Sequence, residues 1–433
     1  MNLNKQIRII TLGCKVNQYE SEKIRSQFTQ NGYITSDDEC VDVCIINSCT
    51  VTHIADKKTR SVIRKIKRNN PQGIVAVTGC YVQTNMEELM LIPEIDILVD
   101  NTKKEKIYEL IESYRGKKII SKGDIFKEDT FSKSGKLVSI QEKTRGYIKI
   151  QDGCNNFCSY CKIPFARGKS RSRKLSEIIS EAQELERLGY KEVVIIGINL
   201  AQYGLDIGEV TLEDVIVTVS KLEGIKRIRV GSIYPEQITD EFLKIFNENP
   251  KMMPHVHLSL QSCCDGVLKE MHRNYFVSEI EKKLTALNEI QNMRVTADII
   301  VGFPTEGESE YLECYQFIEK SCLSECHLFP YSKREKTKAA GFVSQSTHEI
   351  VNERSDRLLK LSKDKLTHYS KNMVGKSTSV LIEKIEKNNA VGYSDNYLKV
   401  KIVDISSEIQ ENTLVEVEII DYIEILIGKI VVK

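Results

Sequence analysis

Cys154, Cys158 and Cys161 sit within the segment Asp152-Gly153-Cys154-Asn155-Asn156-Phe157-Cys158-Ser159-Tyr160-Cys161. No other feature constrains the fold as tightly, because three thiols this close in sequence serve a common centre only from a single loop held on a rigid frame. A zinc knuckle spaces its cysteines in pairs two residues apart and needs a fourth ligand nearby, yet the next histidine is His255. Three thiolates suit three corners of an iron–sulfur cubane and leave the fourth iron open. An open iron binds a substrate. The amino and carboxylate groups of S-adenosylmethionine are the expected ligand, which points to radical chemistry.

The chain of 433 residues is long enough for two or three cores. It shows no apolar leader at its start and no apolar run of membrane-spanning length, so a cytoplasmic location is expected. In a reducing compartment its 13 cysteines read as metal ligands or buried thiols rather than disulfides. The net charge of +1 does not announce nucleic-acid binding, but its distribution is uneven. Lys57, Lys58, Arg60, Arg64, Lys65, Lys67 and Arg68 form one basic run. Lys162, Arg167, Lys169, Arg171, Arg173 and Lys174 form a second, without an acid among them. Either run can neutralise phosphates. The first is equally explained as a solvated helix face, so Arg167, Arg171 and Arg173, which follow the cysteine loop directly, are the nucleic-acid candidates.

Up to about residue 115, short β-branched runs alternate with amphipathic stretches. Strands are expected at 8–12, 43–46, 74–77 and 95–99, with helices from about Ser21 and over 53–68. Cys14, Cys49 and Cys80 each fall just past the carboxyl end of one of these strands. An open parallel sheet gathers such ends at its ligand-binding edge, so these three are expected to form a second cysteine site. Cys44 lies inside a strand and reads as a small buried hydrophobe. A polar connection follows over 119–143, including Ser132-Lys133-Ser134-Gly135-Lys136. Six further strand–helix repeats, with strands at 147–150, 193–196, 227–230, 256–260, 295–301 and 326–329, describe an incomplete (β/α)6 barrel whose first loop carries Cys154, Cys158 and Cys161. Tyr160, Asn199, Ser232 and Gly302 lie at that same end and are the candidate cofactor contacts. After a helical stretch to about 371, strand patterns dominate and fit a small β-barrel. The expected class is thus α/β: an open parallel sheet over 1–118, a linker over 119–143, a partial barrel with a helical extension over 144–371, and an all-β barrel over 372–433.

The segments Thr11-Leu12-Gly13-Cys14-Lys15-Val16-Asn17-Gln18-Tyr19-Glu20, Asn47-Ser48-Cys49-Thr50-Val51-Thr52, Gly79-Cys80 and the loop through Cys161-Lys162-Ile163-Pro164 together resemble radical-SAM methylthiotransferases over essentially the whole chain. The resemblance implies a transferase with two [4Fe-4S] clusters, one held by Cys14, Cys49 and Cys80 and one by Cys154, Cys158 and Cys161. One S-adenosylmethionine would be methyl donor and another radical source, with no catalytic side chain. Within the family, Gly13-Cys14-Lys15-Val16-Asn17-Gln18 resembles the branch acting on N6-threonylcarbamoyladenosine at position 37 of transfer RNA. The implied partners are the anticodon stem-loop, gripped by a TRAM-like terminal domain, an electron donor such as flavodoxin or ferredoxin, and a sulfur donor. The alternatives are the isopentenyladenosine branch, the ribosomal-protein branch, whose Pro-Lys-Asn opening is missing here, and a non-catalytic iron–sulfur RNA-binding protein. Gly231-Ser232, Cys263-Cys264 and Glu335-Lys336 depart from the family pattern, and Cys263 and Cys264 read as ordinary packing.

Overall fold

The computed structural model describes residues 5–131, 144–208 and 210–431; the expected linker segment 132–136 lies outside them. The first unit is a six-stranded parallel sheet in the order β2-β1-β3-β4-β5-β6. Its strands are β1 (Gln6–Thr11), β2 (Ile34–Thr35), β3 (Val43–Ser48), β4 (Ile74–Gly79), β5 (Ile97–Val99) and β6 (Ile119–Ser121). The central β3 is buried at every position, as a strand covered on both faces must be. Helices α1 (Lys15–Gln30) and α4 (Ile107–Glu112) cover one face through Ile24, Phe28, Ile107 and Ile111. On the other face lie α2 (His53–Asn69) and α3 (Cys80–Met90), through Ile63, Ile66, Val82 and Leu89. Thr52 caps α2 by accepting the Ala55 amide at 3.2 Å, and Lys57, Lys58, Arg64 and Arg68 stay on its exposed side.

Two elements depart from the sequence reading here. The helix expected from Ser21 begins at Lys15, immediately after Cys14. Residues 119–121, expected in the linker, pair with β5 as the sheet's edge strand.

The second unit is a half-barrel of parallel strands. After β7 (Arg145–Lys149), the short antiparallel pair β8 (Gln151–Asp152) and β9 (Arg171–Ser172) pins the two ends of the cysteine loop and its following helix α5 (Ile163–Arg167). Strands β10 (Glu192–Ile196) and β11 (Arg227–Val230) pair in parallel with β7 in the order β11-β10-β7. Through Gly231 the chain passes from β11 into β12 (Ser232–Ile233), which begins the order β12-β13-β14-β15 with β13 (His255–Gln261), β14 (Arg294–Val301) and β15 (Leu323–Pro330). Helices α6 (Leu175–Arg187), α7 (Leu212–Ser220), α8 (Asp240–Glu248), α9 (Asp265–Glu270), α10 (Val277–Asn288) and α11 (Glu308–Lys320) provide the crossovers, and α12 (His348–Lys371) packs along β15.

Along β10, Val193 and Ile195 join the core under the outer helices. Val194 and Ile196, pointing the other way, pack against Val16 and Tyr19 of α1. The period-two alternation of a strand thus serves two partners, and the amino-terminal unit lies against the concave face of the half-barrel. Cys44, Cys263 and Cys264 are buried, each in an apolar cluster, which agrees with a packing role for all three.

The third unit is a closed five-stranded barrel in the order β16-β17-β18-β20-β19. It comprises β16 (Ser377–Glu386), β17 (Asn389–Ser394), β18 (Lys399–Ile402), β19 (Leu414–Ile423) and β20 (Ile425–Ile430), packed around Val380, Ile382, Val400, Ile402, Val417 and Ile419. Arginines at the amino-terminal edge of the half-barrel hold it in place. Arg227 Nη2 donates to the Ser379 carbonyl at 2.6 Å, Arg229 to those of Asp395 and Ser394 at 2.7 and 2.8 Å, and Arg294 to that of Tyr397 at 2.9 Å.

Candidate metal and cofactor site

The three cysteines of the first cage occupy the loop beyond β8. Gly153 opens it at φ +75°, and a Cβ there would stand 1.9 Å from the Lys169 carbonyl oxygen, so only glycine lets the two strands of the loop close. The Cys154 amide then bonds the Gly168 carbonyl at 3.1 Å, and Cys161 bonds back to Cys158 at 2.9 Å. Each sulfur meets at least one donor. Asn199 Nδ2 lies 3.5 Å from Cys154 Sγ, Arg273 Nη1 lies 3.7 Å from Cys158 Sγ, and the Ile163 amide lies 3.4 Å from Cys161 Sγ. Arg273 is buried between Tyr234 and Tyr275, its guanidinium 4.3 and 5.3 Å from their ring centroids. Such donors stabilise thiolates and tune a metal they bind.

The second cage is assembled from distant segments. Register pairs Thr11 with Asn47, Asn47 with Thr78, and Ser48 with Gly79, so β1, β3 and β4 end level. Cys14, Cys49 and Cys80 leave those ends together. Tight glycines make the approach possible: at Gly13 a Cβ would sit 2.9 Å from Cys49 Cβ, and at Gly79 one would sit 2.4 Å from the Ser48 carbonyl oxygen. Asn17 ties the strand ends by donating to the Leu12 and Ser48 carbonyls at 2.9 and 3.0 Å, while its Oδ1 lies 3.6 Å from Cys14 Sγ. Asn101 Nδ2 lies 3.8 Å from Cys80 Sγ and donates to the Ala166 carbonyl at 2.8 Å.

Within each trio the thiols are near enough to influence one another's ionisation. Among the described residues, His257, Asp298 and His327 hold three ligand atoms within 4.8 Å of one another. Burial pushes the Cys49 and Cys161 thiols up to about 12 and raises Cys14 and Cys154 as well, so loading metal expels protons from these sites.

The five-residue helix α5, about 8 Å long, separates the two cages. Cys161 precedes it and Arg167 ends it. The Arg167 guanidinium is buried and donates to Glu20 at 2.7 Å, Asn17 at 2.9 Å and Asp152 at 3.1 Å. Lys104 and Lys149 also bind Glu20, at 2.5 and 2.9 Å. Burial alone would raise the Glu20 and Asp152 carboxyls, but the surrounding cations outweigh it and hold both well below the usual range. Lower in the seam, Glu181 takes Lys23 at 2.5 Å and Arg173 as well.

These contacts correct one expectation. Arg167, Arg171 and Arg173 were expected to meet phosphate, but all three guanidiniums are enclosed. Arg167 pairs with Glu20 and Asp152, Arg171 bonds the Arg167 carbonyl, and Arg173 pairs with Glu181. Arg167 joins the two units directly through Glu20, and Arg173 does so through Glu181, which also binds Lys23 of α1. The exposed basic face is that of α2, where Lys57, Lys58, Arg64 and Arg68 project.

The expected cofactor contacts divide. Asn199 touches the first cage, and its Oδ1 is buried without a donor, an orphan acceptor suited to an ammonium or hydroxyl of a bound cofactor. Tyr160 packs edge-on to Phe303, with centroids 6.5 Å apart, beside the cage. Ser232 is exposed on a cavity wall. Gly302 instead has a packing reason: a Cβ would meet Val351 at 2.4 Å, and its amide is taken by Glu306 at 2.9 Å. Arg273, on the loop after α9, and the His257–Asp298–His327 cluster, on alternating strand positions, carry no local signature in the sequence.

A cavity of about 690 Å³ opens along the concave face. Cys14, Lys15 and Val16 line it from α1, Ile196, Gly197, Ile198, Gly231 and Ser232 from the half-barrel, and Tyr393, Tyr397 and Leu398 from the terminal barrel. His257 Nε2 and His327 Nδ1 approach Asp298 at 3.0 and 3.6 Å on its wall. Burial raises the Asp298 carboxyl, but the two imidazoles outweigh it and bring it to about 2.

A parallel half-barrel carrying three cysteines in the loop after its first strand, with a second cysteine cage docked on its open face, defines an iron–sulfur enzyme of the radical S-adenosylmethionine class. Residues 6–100 match the family described as "Uncharacterized protein family UPF0004", and residues 148–318 match the Radical SAM superfamily. The chain is 41% identical over 400 residues to the threonylcarbamoyladenosine tRNA methylthiotransferase MtaB of Bacillus subtilis, covering 90% of this chain and 88% of that protein. Over 396 residues it is 38% identical to the protein of the same name in Aquifex aeolicus, covering 90% and 95%. The fold of the radical S-adenosylmethionine methyltransferase TsrM from Kitasatospora setae superposes with a TM-score of 0.54 over 75% of this chain and 72% of that one, at 13% identity. The chain belongs to the radical-SAM methylthiotransferase family, whose cofactors are [4Fe-4S] clusters and S-adenosylmethionine.

Proposed function

We propose that this enzyme converts N6-threonylcarbamoyladenosine at position 37 of transfer RNA to its 2-methylthio derivative, the substrate class named for both relatives. The observation that carries the reading is the pair of three-cysteine cages set one short helix apart, with Cys14 of the second opening onto a cavity of about 690 Å³. When bound, the clusters and S-adenosylmethionine supply the radical and sulfur-transfer chemistry that an unactivated aromatic C–H requires. The chain's own residues hold and orient. Cys154, Cys158 and Cys161 anchor the first cluster, with Asn199 and Arg273 adjusting its sulfurs. Cys14, Cys49 and Cys80 anchor the second, and Arg167 fixes the distance between them.

By this reading residues up to Ser121 carry the second cage, 144–371 the radical machinery, and 372–433 a TRAM-like domain that grips the anticodon stem-loop. The α2 face, with Lys57, Lys58, Arg64 and Arg68, meets the RNA backbone. No helix among the described residues is long and apolar enough to cross a membrane. The enzyme works in the cytoplasm with a flavodoxin or ferredoxin as reductant and a separate sulfur donor. Mass spectrometry of transfer-RNA nucleosides from a deletion strain tests the reading: the 2-methylthio nucleoside is lost and its threonylcarbamoyl precursor accumulates. Unchanged 2-methylthio-threonylcarbamoyladenosine would falsify it.

A further inference from the structure

One charge on the cavity wall has no contacting counter-charge, the Glu192 and Asp298 carboxylates acting on it only at a distance. Lys15 lines the cavity from the first turn of α1, and among the described residues its ammonium makes neither a hydrogen bond nor an ion pair; the Tyr397 ring lies beneath it at 5.9 Å. The other cations of this wall are engaged or outside. Arg294 pairs with Glu325 and donates to the Tyr397 carbonyl, His257 is held by Thr296 and Asp298, and Lys399 is exposed at the rim.

The helix reinforces the charge. α1 runs for 16 residues from Cys14 with no side-chain cap and no acid in its first turn, so the positive end of its dipole and its free amides face the same space. A part-buried cation without a contacting counter-charge at an uncapped helix start favours the arrival of an anion there. Beside it, Val16, Ile196 and Ile198 offer an apolar surface to a base.

We infer that Lys15 and the first turn of α1 receive the carboxylate of the substrate's threonyl group, making Lys15 the specificity-determining contact for an anionic N6 substituent. This rests on the substrate assignment made above. The carboxylate is the formal charge that separates this modified base from an adenosine bearing a neutral N6-alkyl chain, and a charge-assisted contact in an enclosed cavity discriminates strongly.

The test compares two anticodon stem-loop RNAs, one carrying the threonylcarbamoyl group as its carboxylate and one as the corresponding carboxamide. They are offered to the reconstituted full-length enzyme and to its Lys15→Met and Lys15→Arg variants, with iron content measured in parallel. The unaltered enzyme should favour the carboxylate by about tenfold to a hundredfold in kcat/KM. Lys15→Met should bring that ratio near unity with the iron of both cages retained, and Lys15→Arg should restore most of it. A Lys15→Met enzyme that keeps the preference overturns the inference. So does one that loses turnover of both RNAs equally along with iron, since Lys15 would then serve the neighbouring cluster. Failure of the unaltered enzyme to modify either RNA overturns the substrate assignment, and the inference with it.

Discussion

The two cysteine cages reach the same end by opposite routes. Cys154, Cys158 and Cys161 come from one loop, closed by the backbone of Gly153, Cys154 and Gly168. Cys14, Cys49 and Cys80 come from three strand ends and meet only because β1, β3 and β4 stop in register. The first cage is a local structure; the second exists only in the folded sheet. Damage near one should stay in its loop, whereas damage near the other should travel through the sheet and the seam.

The largest effects come from the ligands themselves. Cys158→Ala should abolish production of 5'-deoxyadenosine and all RNA modification. Cys49→Ala should abolish modification yet leave S-adenosylmethionine cleavage running without product, with iron content falling by half in each. Equal loss of cleavage in both variants would erase the distinction between the cages. Next comes Gly153→Ala, where strain at φ +75° and a carbonyl 1.9 Å away should empty the first cage and cost about 3 kcal/mol. Gly13→Ala, strained at φ +120° and facing Cys49 Cβ at 2.9 Å, should disturb the second cage and lower unfolding stability through the sheet while leaving the spectrum of the first cage unchanged, and electron paramagnetic resonance on both variants checks this.

The seam sharpens the comparison further. Glu20→Gln leaves Arg167, Lys104 and Lys149 around a neutral amide and should cost about 3 kcal/mol in denaturant unfolding. Because the Glu20, Asp152 and Glu181 carboxyls are held low in the folded protein, their contribution is complete above about pH 4.3, the ordinary carboxyl range. It is lost as pH falls toward the folded values beneath that. Thermal midpoints should drop steeply below about pH 4, and Glu20→Gln should flatten that slope. The smallest effect is on RNA affinity. Arg64→Ala and Arg68→Ala on α2 should each reduce the salt dependence of binding by about one unit of slope, whereas Arg171→Ala should unsettle the seam without that signature.

The same contrast governs what the sequence discloses. The first cage is readable because its ligands are consecutive in the chain. The second was readable only through topology, by placing Cys14, Cys49 and Cys80 at the ends of strands whose β-branched runs are plain. The basic run 162–174 misled, because composition cannot show that Glu20, 147 residues away from Arg167, folds back to neutralise it. The start of α1 at Lys15 is hidden in the sequence because Gly13-Cys14-Lys15-Val16-Asn17 carries no capping signal, and Cys14 stands at its N-cap with no side-chain cap bond. β6 is illegible for a plainer reason: three residues are too few for a pattern. Lys15 was visible as a letter in a motif, but its lack of a contacting counter-charge is a fact of three dimensions.

The seating of the terminal barrel has a last consequence. Backbone oxygens between Ser379 and Tyr397 are gripped by Arg227, Arg229 and Arg294, so this module is bolted down instead of swinging on a tether. Under the proposed role, a nucleic acid held by such a fixture would be measured as well as grasped: the interval from grip to cavity would act as a gauge, choosing a nucleotide by its distance along the fold before its chemistry is inspected.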